Sequence, residues 1–206
     1  MPHFDVNKTK IILAYIASKV DVGKTKLMKL FYLIDFLAYE KTGKSITWDE
    51  YKHWSLGPVP ANIWKGMRGS LADGVLSTSE EETSAGTYLK YSPVTQPDTS
   101  SLSPTELAII DDVVKQYGGL GQRELVDMLH KEAPYLMTVQ NETIPYFLAC
   151  YRKDRSFTKQ EMSKIENNKQ FIAELKAAHK ESQKPEYRPV RTEGVTVQVN
   201  NVAIGF

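Results

Sequence analysis

The sequence predicts an α+β fold that is mostly helical: a compact helical domain with a small β-hairpin, winged-helix-like in its element order, followed by a C-terminal helix and tail. Three observations predict it. Apolar residues recur at three- and four-residue steps before Gly43 and after Ser103, the spacing of amphipathic helices. Proline, glycine and capping residues stand at the ends of those stretches. Between them, two short β-branched and aromatic runs flank a polar connection, the pattern of a single hairpin.

The elements follow in order. A first helix is expected from about Lys8 to Lys19, with Ile12, Tyr15, Ile16 and Lys19 along one side, broken at Asp21-Val22-Gly23. Thr25 offers an N-cap hydroxyl for a second helix, Lys26 to Thr42, which closes at Gly43. Leu27, Leu30, Phe31, Ile34 and Ala38 form its stripe, widened by Leu33, Phe36 and Leu37. A helix apolar on most sides belongs at the centre of a core. Ile46-Thr47-Trp48 and Tyr51-Lys52-His53-Trp54 lead into the turn Ser55 to Pro60, and Pro60 suits the start of a short helix to Met67. Val75–Thr78 and Thr87–Tyr91 are the two hairpin strands. Ser103-Pro104-Thr105-Glu106 is a capping box with proline at the first helical position, opening a helix to Tyr117. Gln122 to Lys131 forms another, and Thr143 to Tyr151 is apolar but ambiguous between helix and strand.

The chain divides at 151/152. The body is followed by an extension with a polar, basic helix over about 158–180, opened by the capping box Thr158-Lys159-Gln160-Glu161. A linker over 182–194 carries Pro185 and Pro189, and a β segment is expected over 195–204, where Val195, Val197 and Val199 alternate with polar residues.

Composition narrows the function classes. Hydrophobic content of 41% and charged content of 25% are those of a globular protein, and 206 residues suffice for one core with a small appendage. A single cysteine, Cys150, excludes an internal disulfide and, lying in an apolar run, reads as buried. Met1 to Asp5 does not resemble a signal peptide, and Lys29 and Asp35 interrupt the longest apolar stretch, so a cytoplasmic protein with no membrane span is expected. Residues 1–150 carry 15 Lys and Arg against 18 Asp and Glu, a net −3, whereas residues 151–192 carry 11 against 6, a net +5. Gripping duplex DNA takes roughly six to ten neutralised phosphates, so only the extension has the charge for operator DNA. That basic helix reads as a solvated face, as a DNA contact, or as a dock for an acidic protein surface.

The run Lys26-Leu27-Met28-Lys29-Leu30-Phe31-Tyr32-Leu33-Ile34-Asp35, then Trp54-Ser55-Leu56-Gly57-Pro58-Val59, resembles the signature of the Panacea (SocA-like) antitoxin domain. Leu102 to Glu106 and Leu129 to Tyr135 resemble the later blocks of that family, in order. The resemblance covers about Lys8 to Tyr151. It implies a mostly helical domain from a bacterial, phage or mobile-element toxin–antitoxin system. That domain would neutralise a protein toxin, encoded by an adjacent gene, through direct contact, or deliver it to a protease as an adaptor. It implies no cofactor and no catalytic residues. Lys29, Leu30, Tyr32, Trp54, Gly57, Pro58, His130 and Pro134 are the motif positions, read as structural.

Other candidate chemistry is weaker. Gly23-Lys24-Thr25 imitates the end of a P-loop, but Ser18 stands where the first glycine is needed. His3, His53, His130 and His179 are too scattered to pair as metal ligands, and no nucleophile–base arrangement is evident. His130 reads as hydrogen-bonded near a helix end, where a cation suits the dipole. Trp54 either plugs the core or, with Tyr51 and Val59, borders a docking groove, since aromatic anchors dominate interfaces. The tail residues Val195, Val197, Val199, Ile204 and Phe206 either fold back as a strand or augment a partner's sheet. The competing function is a winged-helix-like DNA-binding transcriptional regulator.

Overall fold

The computed structural model describes residues 3–83 and 86–152 and, beyond them, Gln198–Val199 and Val202–Ala203. The chain forms two units, Met1–Asn167 and Asn168–Phe206. The first is α+β, with helices packed round one central helix and two small antiparallel sheets.

Helix α1 spans Val6–Lys19, two residues longer than its apolar stripe predicts, because the Asp5 carboxylate accepts the Lys8 N–H at 2.9 Å and caps it. Strand β1, Val22–Gly23, runs straight into α2, Lys24–Thr42. The expected Thr25 cap is not used: Gly23, in extended conformation, is the N-cap and supplies no side-chain bond. The pairing of Val22 and Gly23 with Tyr91 and Lys90 fixes the chain entry instead. The other end is as expected, with Gly43 left-handed at φ 72° and its N–H on Tyr39 O. Leu27, Leu30, Phe31, Leu33, Ile34 and Phe36 are fully buried, which makes α2 the axis of the core.

Where the sequence indicated a turn, the chain forms a hairpin of β2, Tyr51–Trp54, and β3, Gly57–Pro60, closed by Ser55 and Leu56. Pro58 and Pro60 argue against a strand, since neither donates a backbone bond; they are accommodated because, among the described residues, β3 has β2 as its sole sheet partner. Helix α3, Ala61–Gly66, follows at once, capped by a carboxylate thirteen residues back: Asp49 accepts the Asn62 N–H at 2.9 Å and the Ile63 N–H at 2.8 Å. Strands β4, Leu76–Thr83, and β5, Gly86–Pro93, form the expected hairpin with longer arms, and β5 also pairs β1, giving sheet order β1-β5-β4.

The predicted capping box opens α4, Pro104–Tyr117: Ser103 Oγ accepts the Glu106 N–H at 3.2 Å, and Glu106 accepts the Ser103 N–H at 2.8 Å. Helix α5, Gln122–Leu129, and the short α6, Ala133–Leu136, complete the packing. The ambiguous segment is a 3-10 helix, Tyr146–Tyr151. Cys150 lies on it exposed, not buried as its apolar neighbours suggested. In the second unit, β6, Gln198–Val199, pairs antiparallel with β7, Val202–Ala203, with Val199 opposite Val202. The predicted helix over 158–180 and linker over 182–194 lie outside the described residues, as do Val195, Val197, Ile204 and Phe206. Among the described residues no helix is long and apolar enough to cross a membrane.

Candidate functional site

Three separate sequence blocks meet beneath the β2–β3 hairpin. Lys29, in the second turn of α2, is fully buried and donates from Nζ to the Pro58 carbonyl at 2.8 Å. Gly57, the first residue of β3, holds φ 92°, a region costly for any side chain. It is also closely covered: a Cβ there would lie 3.3 Å from Lys29 Nζ and 3.5 Å from His130 Nε2. His130, at the C-terminus of α5, stacks on Tyr135 at 4.5 Å, and Tyr135 stacks on His53 of β2 at 3.7 Å. The Tyr135 hydroxyl donates to the Trp54 carbonyl at 3.0 Å, and His53 Nδ1 sits 3.0 Å from the Thr138 hydroxyl. Both strands of the hairpin are thus pinned from below next to its turn, β3 by the Lys29 side chain and β2 by the hydroxyl of a stacked ring.

The electrostatics disfavour charge here. Burial pulls the Lys29 ammonium down to about 7. Burial, and after it the Lys29 charge, lowers His130; burial and then His130 lower His53. Among the described residues, His130 Nε2 is buried without a hydrogen-bond partner. The helix-end cation expected of His130 is therefore corrected: desolvation and a neighbouring ammonium outweigh the attraction of the α5 dipole.

Two further polar clusters flank this one. Tyr32 donates to Glu132 at 3.0 Å, and Arg152 grips the same carboxylate with Nε at 2.8 Å and Nη2 at 2.9 Å. Asp35, fully buried, accepts the Ile46 and Thr47 N–H groups at 3.0 and 2.9 Å, the Thr47 hydroxyl, and the Tyr51 hydroxyl at 2.8 Å. Four donors on one carboxylate hold the loop after α2 against the helix that precedes it. Burial nonetheless raises the Asp35 pKa.

Of the motif positions read as structural, all but Trp54 and the half-buried His130 are buried. Leu30 and Tyr32 are fully buried, Pro134 is buried at the start of α6, and Lys29, Gly57, Pro58 and His130 form the cluster above. The docking candidates divide. Tyr51 and Val59 are 0% and 4% exposed, so neither offers a face to a partner in this fold; Tyr51 is committed to Asp35 and the aromatic core. Trp54 is partly exposed and meets Trp64 of α3 edge-on at 5.5 Å instead of plugging the core. Val199 is described only as a strand position. Sequence reasoning missed Glu132, Arg152, Asp35, Asp49, Lys24 and Trp64. Glu132 and Asp35 sit inside motif runs and so had a signal; Arg152 had none. Among the described residues no group of three or more His, Cys, Asp or Glu side chains is placed to hold a metal ion.

Fold and site together define a small, mostly helical α+β domain in which buried polar side chains clamp a short hairpin onto a central helix. The SocA-like antitoxin family, Panacea domain, matches residues 27–135, more than half of the 206-residue chain, and the chain belongs to that family. The match runs from α2 into α6 and contains Lys29, His53, Gly57, Pro58, His130 and Tyr135 of the hairpin clamp. No curated protein and no solved structure matches the chain.

Proposed function

We propose that this chain is the antitoxin of a bacterial toxin–antitoxin pair. It neutralises a toxin encoded by an adjacent gene through direct protein–protein binding in the cytoplasm, and it works as a binding protein, not an enzyme. The family match over residues 27–135 carries the reading. The placement of the motif residues supports it. Lys29, Gly57, Pro58, His130 and Pro134 are spent on the interior, which leaves the exposed positions free to suit one partner. Nanomolar sequestration corresponds to about −12 kcal/mol and takes roughly 20–30 residues a side, more than the tail after residue 194 can supply alone, so if the tail binds, the body binds too.

Growth of a host expressing the adjacent open reading frame, with and without this chain, tests the reading. Arrest by the neighbour alone and recovery with this chain is the expected result. A harmless neighbour, or arrest that persists while the chain is abundant, overturns it. Recovery that vanishes in a protease-deficient host assigns the chain to the adaptor variant of the mechanism.

The net charge of +5 over residues 151–192 favours a second reading, a winged-helix-like regulator on operator DNA. In that reading the β4–β5 hairpin is the wing. It carries Glu80, Glu81 and Glu82, a poor match to phosphates, and this keeps DNA second.

A further inference from the structure

Exposed and half-exposed apolar and cationic groups gather beside the tip of the β2–β3 hairpin. Leu56, at its tip, is 53% exposed. Beside it the partly exposed Trp54 and Trp64 meet edge-on at 5.5 Å and 88°. The Lys24 ammonium sits over the Trp64 ring, 3.6 Å from its centroid. Arg68, exposed and four residues beyond Trp64, lies close enough for its charge to lower the Lys24 pKa, second to burial.

Two features mark these cations as unspent. Among the described residues neither Lys24 nor Arg68 forms an ion pair with a carboxylate. Lys24 also opens α2, whose first turn holds no acidic residue, so its charge faces the positive end of the helix dipole. Stability alone favours a carboxylate there. A lysine held at that position, partly desolvated on an indole and near a guanidinium, gains most when an outside anion arrives.

We propose that Lys24, Trp54, Leu56, Trp64 and Arg68 form the centre of the toxin-docking surface, and that they receive a toxin segment combining carboxylates with an apolar anchor. The proposal rests on the antitoxin reading. The chemistry favours protein over nucleic acid. Tryptophan and arginine dominate interface hot spots. Two cations make a spot and not a phosphate track, and residues 1–150 are net −3. The charges set encounter and register, while Leu56 and the indoles supply the desolvated anchor. The hairpin clamp beneath gives this patch a rigid base, since the Trp54 carbonyl is fixed by Tyr135 and the Pro58 carbonyl by Lys29.

The test measures binding of the full chain to the purified product of the adjacent gene, by calorimetry and by growth rescue. The variants are Leu56→Glu, Arg68→Glu and their combination, with Glu80→Lys on exposed β4 as control. Each is checked for unchanged thermal unfolding. The double variant is expected to weaken binding about 100-fold and to lose rescue, with the control within about threefold. Wild-type chain that binds and rescues, together with a folded double variant that does the same, overturns the surface and leaves the antitoxin reading intact. Wild-type chain that neither binds nor rescues overturns both. If Arg68→Glu abolishes binding of wild-type-competent duplex DNA and leaves toxin binding unchanged, the patch belongs to nucleic acid and the proposal fails.

Discussion

Replacing Lys29 by methionine removes an ammonium from the interior while keeping most of the side-chain volume, and the consequence is a change in pH dependence. In the folded chain burial holds Lys29 at about 7, whereas an unfolded lysine titrates near 10.4. Between those values the unfolded state binds more protons, so stability rises with pH, by about 1.4 kcal/mol per pH unit at its steepest. From pH 7 to pH 9.5 the contribution amounts to about 3 kcal/mol. Lys29→Met abolishes it. The variant also leaves the Pro58 carbonyl without its donor, a cost of about 1–3 kcal/mol that does not depend on pH. The assay is urea unfolding of both proteins at pH 7, 8 and 9.5. Wild type is expected to gain about 3 kcal/mol over the variant across that range. The window stops at 9.5 because burial raises the Tyr32 and Tyr51 pKa values, and their contribution is lost as pH climbs past 10. Stability curves that stay parallel for the two proteins refute the buried-ammonium argument.

Three substitutions probe the rest of the scaffold, each read by chemical denaturation. Gly57→Ala places a Cβ at φ 92° and against Lys29 and His130; it is expected to cost about 1–3 kcal/mol, and a neutral result contradicts the close packing of the clamp. Asp35→Ala orphans two buried amides and two hydroxyls and should cost about 3 kcal/mol or more, with a loss under 1 kcal/mol counting against it. Glu132→Ala leaves the Arg152 guanidinium buried without its bidentate partner, an expected loss of about 3–5 kcal/mol; a fully stable variant shows that the pair is not desolvated.

The helices were legible because their signals are local. The α2 stripe, the Gly43 cap and the Ser103–Glu106 box each lie within one or two turns, and all three stand in the structure. What escaped was set by distant partners. The Thr25 cap lost to Gly23 because β1 pairs β5 nearly seventy residues away. The β2–β3 hairpin was hidden by its two prolines, and Asp49 caps α3 from across it. The motif lysine, glycine and histidine were visible as a pattern, but only folding puts Lys29, Gly57 and His130 against one another. Lys24 read as the residue after a false P-loop glycine; its seat over Trp64 is a tertiary fact.

The most direct test of the central claim uses two purified proteins and no cell. The toxin product of the adjacent gene is titrated with the full chain while its own inhibitory activity is followed, with no protease present. The account predicts a tight complex, near nanomolar, and toxin activity that falls as the complex forms. Undiminished toxin activity and no complex at micromolar concentrations of both proteins would contradict neutralisation by direct binding.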